Sequence, residues 1–532
     1  MNNILQMCIE KGYLIEKDLL TIFDNLNSID AEASNELLNI FLGISRDKIL
    51  KKKIFLDNIN KLTIILLNLK EKKEYKKENI EKIIKTLNLF RKDLNIEFKN
   101  FEQDKFIEED KKSLPEIKNG VKIISSPHIL SKKIGIEDFV KHFRNRFSVI
   151  KNILQEHNEL QNLVSINKIS GQKQNISIIG MVAGKRITKN KNMLLYIEDL
   201  TGRITLLVNQ NRENVFSKAK DIIEDDILGF KCSGNEEILF VNEIIFPDIT
   251  AKPKKNIENE EFAIFISDLH AGSNKFLEQE FLQFLKWVNG EIGSAKQKEI
   301  SKKIKYIFII GDLVDGIGIY PGQEDELVIK DITKQYEKVA ELLSSLRKDI
   351  TIIVSPGNHD SVRIAEPQPI LDEKFASSLY KIPNILFVSN PSIVNIASSN
   401  SSSGIDILLY HGYSFDYYAN TVDSLRLNKS YHRPTLLSHF LLKRRHLAPT
   451  HASTLYIPSD HDSLIINEVP DVFASAHIHK SDISNYNGIT TICCSCWQAK
   501  TPFQEKVGHE PDPCKVPILN LKTGQVNIID FS

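Results

Sequence analysis

The sequence predicts a multidomain α+β protein with a helical N-terminal module, a small β-barrel and a C-terminal layered α/β domain. Its length of 532 residues exceeds what one hydrophobic core usually organises. The apolar pattern changes from helical to strand-like near residue 176 and then alternates between buried strands and helices beyond residue 261. A hydrophobic content of 42% with 26% charged residues excludes a largely disordered or fibrous chain.

Charge and cysteine content narrow the function classes. Lys plus Arg and Asp plus Glu each total 69, so any attraction to nucleic acid or anionic membrane must be local. Six cysteines are too few for a disulfide scaffold, and the first residues do not have the pattern of a secretory signal. No apolar run reaches the roughly 18 to 20 residues that cross a bilayer. We therefore expect a cytoplasmic protein that does not bind membranes.

The N-terminal part is predicted to be a helical module over residues 1–95, followed by a linker over residues 96–134. The module has apolar positions at helical spacing, whereas the linker mixes charges without a sustained period. A Lys/Glu-rich stretch, KEKKEYKKENIEKIIKTL, could contact DNA or a partner subunit. A solvated helix face is the simpler interpretation of that stretch.

Residues 135–252 are predicted to form a helix and a barrel. The helix has an apolar stripe that runs from Phe139 to Leu154. Five short strand patterns follow, with a helical interval after the third, and this order is typical of an OB-type barrel. The basic candidates for DNA contact on the barrel are Lys185, Arg186, Lys189, Lys191 and Arg203. A structural or subunit-docking role is an equal alternative at this stage.

Residues 258–532 contain five polar motifs, each directly after a predicted strand. They are DLH at 268–270, GDLVDG at 311–316, GNHD at 357–360, HGYS at 411–414 and HIH at 477–479. Functional groups of layered α/β folds collect at the carboxyl ends of strands, so we expect the motifs to converge at one edge. In DLH and HIH we expect both outer side chains to share one face of an extended segment.

The residue types predict a metal centre. Carboxylate, imidazole and amide groups together suit divalent ions such as Mn, Fe, Zn or Co better than an all-oxygen Mg site. The candidate ligands are Asp268, His270, Asp312, Asn358, His411, His477 and His479. Seven ligands suggest two ions that share a carboxylate, and Asp312, which arrives from its own strand, is the expected bridge. A pair of metal ions is typical of phosphoester chemistry.

In this order the motifs resemble the calcineurin-like metallophosphoesterase superfamily, which includes the Mre-type nucleases. GDLVDGIGIYPGQ, PGNHDSVRIAEPQP, RRHLAP and SCWQAKTPFQ are similar to the small subunits of archaeal family D DNA polymerases. The resemblance covers roughly residues 135–532. It implies a 3'-5' exonuclease domain over 258–532 that acts on DNA 3' ends and a heterodimer with a large polymerising subunit, with a sliding clamp as a further candidate partner.

The resemblance also implies residue roles. Two divalent ions are expected, with Mn first and Fe, Zn, Co or Mg open. One ion would be held by Asp268, His270, Asp312 and His479, and the other by Asp312, Asn358, His411 and His477. His359 would protonate the leaving sugar oxygen and Asp360 would orient its imidazole. Asp315 would support the ligands from behind, with loop capping as the alternative.

Weaker signals complete the site prediction. Arg363, Arg444 and Arg445 are candidates for binding the DNA backbone. Pairing of Arg363 with Glu366, and a helix end or subunit interface for the other two, are the alternatives. The close spacing of Cys493, Cys494 and Cys496 in an apolar strand, with Cys514 far along the chain, favours buried small residues over structural zinc.

The sequence therefore predicts the exonuclease subunit of a replicative DNA polymerase. One alternative is a non-catalytic scaffold that docks the large subunit, against which the complete ligand set argues. The other is a free-standing metal-dependent phosphodiesterase, which should be indifferent to a large subunit.

Overall fold

The computed structural model has two compact units, Met1–Leu114 and Pro115–Ser532. It describes residues 120–532 except 130–132, 252–254, 256 and 400–401, and in the first unit only parts of 3–55. The Lys/Glu-rich stretch and residues 96–119 of the predicted linker lie outside the described residues. Within the part that is described, no helix is both long enough and apolar enough to span a membrane.

The described part of the first unit includes the helices α1 (Asn3–Glu10) and α2 (Lys17–Ile29). Two short parallel strands, β1 (Leu14–Ile15) and β2 (Ile49–Leu50), pair with each other. Phe23, Phe41 and Phe55 pack together with ring centroids 5.2–6.4 Å apart. Residues 56–95 of the predicted helical module lie outside the described residues.

The second unit begins with an edge strand, β3 (Lys122–Ser125), which pairs with β13 (Ser392–Ile396). The predicted linker over 96–134 is wrong for these residues. Val121 and Ile123 pack into the apolar core between two sheets. The charge-rich sequence before this segment gave no indication that these side chains would be buried.

Helix α3 (Ile136–Gln155) leads into the barrel. Phe147, Ile150 and Leu154 of its apolar stripe pack against Ile179 and Ile227 on the barrel wall. The charged side chain of Arg146 on the same helix is buried and bonds to Asp462 at 2.6 Å. The helix therefore joins the barrel to the C-terminal domain.

The barrel confirms the predicted five strands with a helix after the third. Its elements are β4 (Lys173–Ile187), β5 (Met193–Glu198), β6 (Arg203–Val208), α4 (Glu213–Lys220), β7 (Ile227–Gly234) and β8 (Ile238–Ile245). The strands close in the order β4-β5-β6-β8-β7, and only β6 and β8 among these pairs run parallel. Alternate apolar side chains fill the interior.

The C-terminal domain is built on two six-stranded sheets. The first contains β12 (Ile385–Phe387), β11 (Thr351–Ser355), β10 (Ile304–Ile310), β9 (Phe262–Ile266), β18 (Lys515–Asn520) and β19 (Val526–Asp530). The second contains β16 (Asp482–Tyr486), β17 (Ile489–Cys493), β15 (Val472–Ser475), β14 (Ile405–Tyr410), β13 and β3. An apolar core lies between them. Cys493, Cys494, Cys496 and Cys514 are all buried and unpaired.

Helices cover the outer faces of both sheets. Next to the first sheet lie α5 (Glu278–Val288), α6 (Ala295–Lys302), α7 (Ile332–Ser344) and α8 (Glu373–Tyr380). Next to the second lie α9 (Phe415–Thr421), α10 (Asp423–Leu427) and α11 (Thr435–Arg444). A short helix, α12 (Pro502–Val507), follows the second sheet in the chain. The predicted layered α/β arrangement is confirmed.

The predicted DNA-binding role of Arg444 is wrong. This residue is 3% exposed, and its Nε donates a 2.9 Å hydrogen bond to Asp226, which precedes β7. Its guanidinium lies 3.4 Å from the ring centroid of Phe440 and 5.1 Å from that of Phe246. The basic run at the end of α11 therefore packs against the barrel instead of facing solvent.

The predicted DNA-binding role of Arg445 is wrong for a related reason. Arg445 is 7% exposed and donates to the carbonyl oxygens of Ile466 and Asn467 at 2.7 and 2.6 Å. Helix α11 ends just before Arg445, whose backbone has a left-handed φ of 54°. The side chain therefore holds a loop of the protein and is not available to a phosphate.

Replacing Arg444 should destabilise the protein without a specific effect on DNA. In Arg444→Ala, Asp226 stays buried without its partner, which costs about 3–5 kcal/mol of unfolding free energy. Denaturant unfolding measures this loss. The control is Arg426→Ala, which removes an exposed ion pair with Asp423 and should cost under about 1 kcal/mol. Unchanged stability combined with weaker DNA binding would restore the DNA-binding interpretation.

Candidate metal centre

All five polar motifs meet at the carboxyl ends of parallel strands from the two sheets. The 268–270, 311–316 and 357–360 motifs follow β9, β10 and β11, and the other two follow β14 and β15. Asp268, Asp312 and His411 are at most 1% exposed. The predicted convergence is confirmed, and each sheet contributes part of the cluster.

The backbone turns sharply at most of these positions. Asp268, His270, Asp312, His477 and His479 all have φ between 51 and 72°, a left-handed conformation that costs a non-glycine residue of order 1–3 kcal/mol. The expected extended D-x-H and H-x-H segments are therefore wrong, because these residues lie beyond the strand ends. Such strain persists only where the surrounding structure holds it in place.

Two glycines allow this close packing. At Gly311, which has φ of 79°, a Cβ atom would lie 2.4 Å from Nδ1 of His411. At Gly357 a Cβ atom would lie 2.2 Å from Oδ1 of Asp312. Any side chain at these positions would displace the cluster.

Asp268, His270 and His479 form the first group of candidate ligands. Nε2 of His479 lies 3.2 Å from Oδ1 of Asp268 and 3.2 Å from Nε2 of His270. Two imidazole nitrogens and one carboxylate oxygen thus face one point. Oδ1 of Asp268 is buried without a hydrogen bond of good geometry.

Asp312, His411 and His477 form the second group. Nε2 of His411 lies 3.3 Å from Oδ2 of Asp312 and 3.0 Å from Oδ1 of Asn358. Oδ2 of Asp312 is also 3.9 Å from Nε2 of His270 in the first group. Asp312 therefore lies between the two groups, at the position expected of a shared ligand.

The other nitrogen of each imidazole lies close to a polar group, as is usual for metal-binding histidines, but Nδ1 of His270 has no hydrogen bond of good geometry. Nδ1 of His411 lies 2.9 Å from the carbonyl oxygen of Ile310, and Nδ1 of His270 lies 3.2 Å from Oδ1 of Asp315. Asp315 also accepts hydrogen bonds from Gln323 and Gln498. It therefore stands behind a candidate ligand, where the sequence placed it.

The sequence reasoning missed two orienting residues. Asp416 lies 3.0 Å from Nε2 of His477, and Gln504 lies 2.9 Å from Nδ1 of His479. Gln504 ends the SCWQAKTPFQ stretch, which could have drawn attention to it. Asp416 starts helix α9 in no recognised pattern, so nothing in the sequence singled it out.

The ionisable groups of the cluster balance one another. Burial alone would raise the pKa of Asp312, but His411 and His359 hold the pKa of this carboxylate well below its usual range. Conversely, burial would lower the pKa of His411, but Asp312 raises it to about 9. Asp268 raises the pKa of His479 against the effect of burial in the same way. The cluster thus combines carboxylates that are more acidic than usual with imidazoles, those of His411 and His479, that are more basic than usual.

His359 lies beside the ligand cluster, whereas Asp360 stabilises the loop that contains the GNHD motif. The His359 ring packs edge-on against His270 with centroids 4.7 Å apart, and its Nδ1 lies 2.8 Å from the carbonyl oxygen of Asp315. Asp360 instead accepts hydrogen bonds from the backbone of Gly357 and the hydroxyl of Tyr336. The prediction that Asp360 orients the imidazole is therefore wrong, because a backbone carbonyl occupies that position.

Arg363 binds backbone carbonyl oxygens rather than the carboxylate of Glu366. Its guanidinium donates to the carbonyl oxygens of Ile129, Ala365 and Pro367 at 2.8–3.3 Å. It therefore ties the loop after GNHD to the chain near β3. These backbone acceptors engage one N–H on Nε and on each terminal nitrogen, and the DNA-binding role of this half-buried side chain stays a prediction.

The residues fit divalent cations. The mixed nitrogen and oxygen donors suit a borderline ion, and the buried carboxylate oxygen of Asp268 has no good donor of its own. Three groups of potential ligand atoms, each within 4.8 Å of one another, lie in this cluster: the two described above and a third formed by His270, Asp315 and His359. The cluster is therefore able to hold divalent metal.

Comparison with known proteins agrees with this site. The family model of the calcineurin-like phosphoesterases matches residues 263–481, which include all five motifs. The fold and the cluster thus define a calcineurin-like metallophosphoesterase domain, and divalent metal binding follows from that class.

Relatives define the family more narrowly. The DNA polymerase II small subunit of Methanothermobacter thermautotrophicus is 40% identical over 399 residues, which cover 75% of this chain and 80% of that protein. The protein of the same name from Pyrococcus abyssi is 37% identical over 473 residues, covering 87% of this chain and 72% of that protein. The one from Archaeoglobus fulgidus is 37% identical over 385 residues, covering 72% and 75%. The chain belongs to the family of DNA polymerase II small subunits, as the motifs indicated.

A buried acid beside the cluster makes stability depend on pH. Glu366 is 0% exposed and lies 3.2 Å from the hydroxyl of Tyr410, and burial raises its pKa to about 8. The fold therefore prefers the neutral carboxyl, while the unfolded chain ionises above its ordinary pKa of about 4.3. Stability from this group is complete below about pH 4.3 and is lost as pH rises to about 8.

Glu366→Gln should remove this pH dependence. The variant should match the wild type near pH 4.5 and become progressively more stable than it toward pH 8, because the amide never ionises. Thermal unfolding of the metal-free protein across this range measures the difference. Glu341→Gln, at a side chain that is 71% exposed, should follow the wild type throughout. A constant offset at every pH would contradict an uncharged Glu366.

Proposed function

We propose that the chain is the metal-dependent 3'-5' exonuclease subunit of a two-subunit archaeal replicative DNA polymerase. The observation that carries this proposal is the set of seven candidate ligands: six lie in the two groups that contain Asp268 and Asp312, and Asn358 lies beside His411. A scaffold subunit would have no need to keep seven ionisable or polar side chains in a strained, buried cluster. Family membership supports the partnership with a large subunit.

The proposed ligand sets follow the two groups. Asp268, His270, Asp312 and His479 would hold one divalent ion, and Asp312, Asn358, His411 and His477 the other. Manganese is the favoured metal because imidazole and carboxylate donors are mixed. When bound, such ions acidify water and neutralise charge on the phosphate.

His359 is proposed to handle the proton of the leaving group. Burial lowers the pKa of this imidazole, and its Nδ1 lies 2.8 Å from the carbonyl oxygen of Asp315. An N–H on Nδ1 would donate a hydrogen bond to that oxygen, which leaves Nε2 as the atom that exchanges protons. Nε2 would take up a proton from solvent and pass it to the leaving 3' oxygen.

The barrel is proposed to be an OB-fold. The support is its strand order, with β6 beside β8 and a helix between β6 and β7. In this proposal the barrel, with the adjacent face of the phosphoesterase domain, docks the large subunit. The sliding clamp remains a further candidate partner.

Oligonucleotide degradation tests the proposed activity. The purified chain with its large subunit should release nucleoside monophosphates from single-stranded or 3'-recessed DNA with Mn²⁺, and chelator should abolish the release. His411→Ala should lower the rate at least about 100-fold, because a ligand of the second ion is lost. His432→Ala, at an exposed histidine outside the cluster, should retain the rate.

The outcome also separates the alternatives. An intact complex that binds Mn²⁺ but releases no nucleotide would identify a scaffold. A chain that hydrolyses phosphodiesters but never associates with the large subunit would be a free-standing enzyme. Stable association together with metal-dependent release supports the proposal.

His359→Gln should separate proton transfer from metal binding. Glutamine keeps a similar volume but cannot donate a proton to the leaving oxygen, so kcat should fall about 10²- to 10⁴-fold. Mn²⁺ affinity, followed by calorimetry, should stay within about threefold, and the pH dependence of kcat should lose one of its limbs. A parallel loss of Mn²⁺ binding would instead make His359 a metal ligand.

A further inference from the structure

A groove of about 590 Å³ lies beside the second ligand group. We call it the aromatic groove, because Phe139, Tyr413, Tyr417 and Tyr456 line it together with Leu455. The Tyr413 ring lies 5.7 Å from the ring of His477. Asp416, which also lines the groove, lies 3.0 Å from Nε2 of the same histidine. The groove is therefore continuous with the metal centre.

The side chains that line the aromatic groove favour the binding of a flat, uncharged group. Leu455 is 62% exposed, and Tyr413 and Tyr417 are half-buried, so apolar and aromatic surface faces solvent. None of the described residues that line the groove is a lysine or an arginine, and Asp416 adds an acidic group. A phosphate is disfavoured here, whereas a base can stack on aromatic faces without any charge partner.

The groove is also held in place. Tyr456 stacks on His142 with ring centroids 4.9 Å apart, and its hydroxyl lies 2.7 Å from Nδ1 of His451. Glu366, in the loop after GNHD, donates its N–H to the carbonyl of Leu455 and accepts the N–H of Ile457. The groove wall is thus joined to the loop that carries Asn358 and His359, and a ligand would find its surface already formed.

We propose that the aromatic groove binds an unstacked base from the 3' end of single-stranded DNA. This inference rests on the proposed exonuclease function, in which the terminal phosphodiester must reach the ligand cluster. A base close to that phosphodiester cannot stay stacked in a duplex, and the groove offers it a replacement surface. Phosphate contacts would come from the metal centre, while the groove would contact only the base.

Tyr417 is the side chain to test, because it is half-buried and its ring contacts only Tyr418 among the ring pairs of the described residues. In Tyr417→Ala, kcat/KM for a single-stranded oligonucleotide should fall about tenfold. Tyr417→Phe, which keeps the ring, should stay within about twofold of the wild type. Equal melting temperatures for the three proteins exclude a folding defect. A similar loss in both variants would overturn stacking.

An abasic substrate makes the test specific. Removing the base at one of the last two positions should cost the wild type about tenfold and cost Tyr417→Ala nothing more, because both changes remove the same contact. Additive losses would overturn the proposal. A Tyr417→Ala variant that binds the large subunit less tightly but degrades DNA normally would also overturn the proposal, because the groove would then bind protein.

A binding measurement separates this inference from the exonuclease proposal. An oligonucleotide with 2-aminopurine at one of its last two positions should change fluorescence on binding to the full chain in chelator, where no hydrolysis occurs. Tyr417→Ala should weaken this binding about tenfold. If the wild type is inactive but still shows the Tyr417-dependent signal, only the exonuclease proposal is refuted. An active wild type with no such dependence would refute the groove.

Discussion

Charge compensation inside the buried cluster is the constraint on which the rest of the structure depends. Asp268 and Asp312 are almost fully buried, and an ionised carboxylate in that position is stable only beside positive charge. His411 and His479 provide this charge, which is why their pKa values rise while those of the carboxylates fall. Divalent cations would take over the same role. The cluster is thus arranged for cations and is kept intact by its own imidazoles.

This constraint explains the strained backbone around the site. Opposite charges must approach within about 3–4 Å to compensate for the cost of burial. Side chains on a regular extended backbone at the strand ends would not come this close to one another. Left-handed turns at Asp312, His477 and their neighbours bring the side chains inward. Gly311 and Gly357 leave the space that the approach of His411 and Asp312 requires. The strain is therefore compatible with the fold because the cluster and its hydrogen bonds fix each turn.

The candidate site could be predicted from sequence where the signal is local. A buried strand followed at once by a polar motif needs no knowledge of distant residues, so the five strands and the convergence of their motifs were predicted correctly. The roles of Arg444 and Arg445 were not, because the acceptors of their side chains lie far along the chain or on the backbone. A basic run indicates charge but not what will bury it. Asp416 was missed for the same reason, since only folding brings it to His477.

Within each ligand group, the distance between the carboxylate and the imidazoles of the other sheet is set by the core between the sheets. Asp268 and Asp312 follow strands of the first sheet, whereas His411 and His479 follow strands of the second. Phe265 and Phe308 stack in that inter-sheet core with ring centroids 5.1 Å apart. Such interiors are close-packed and transmit small changes in volume as displacement. A change in this core would therefore alter the distance between carboxylates and imidazoles without touching either, and the metal centre depends on apolar packing as directly as on its ligands.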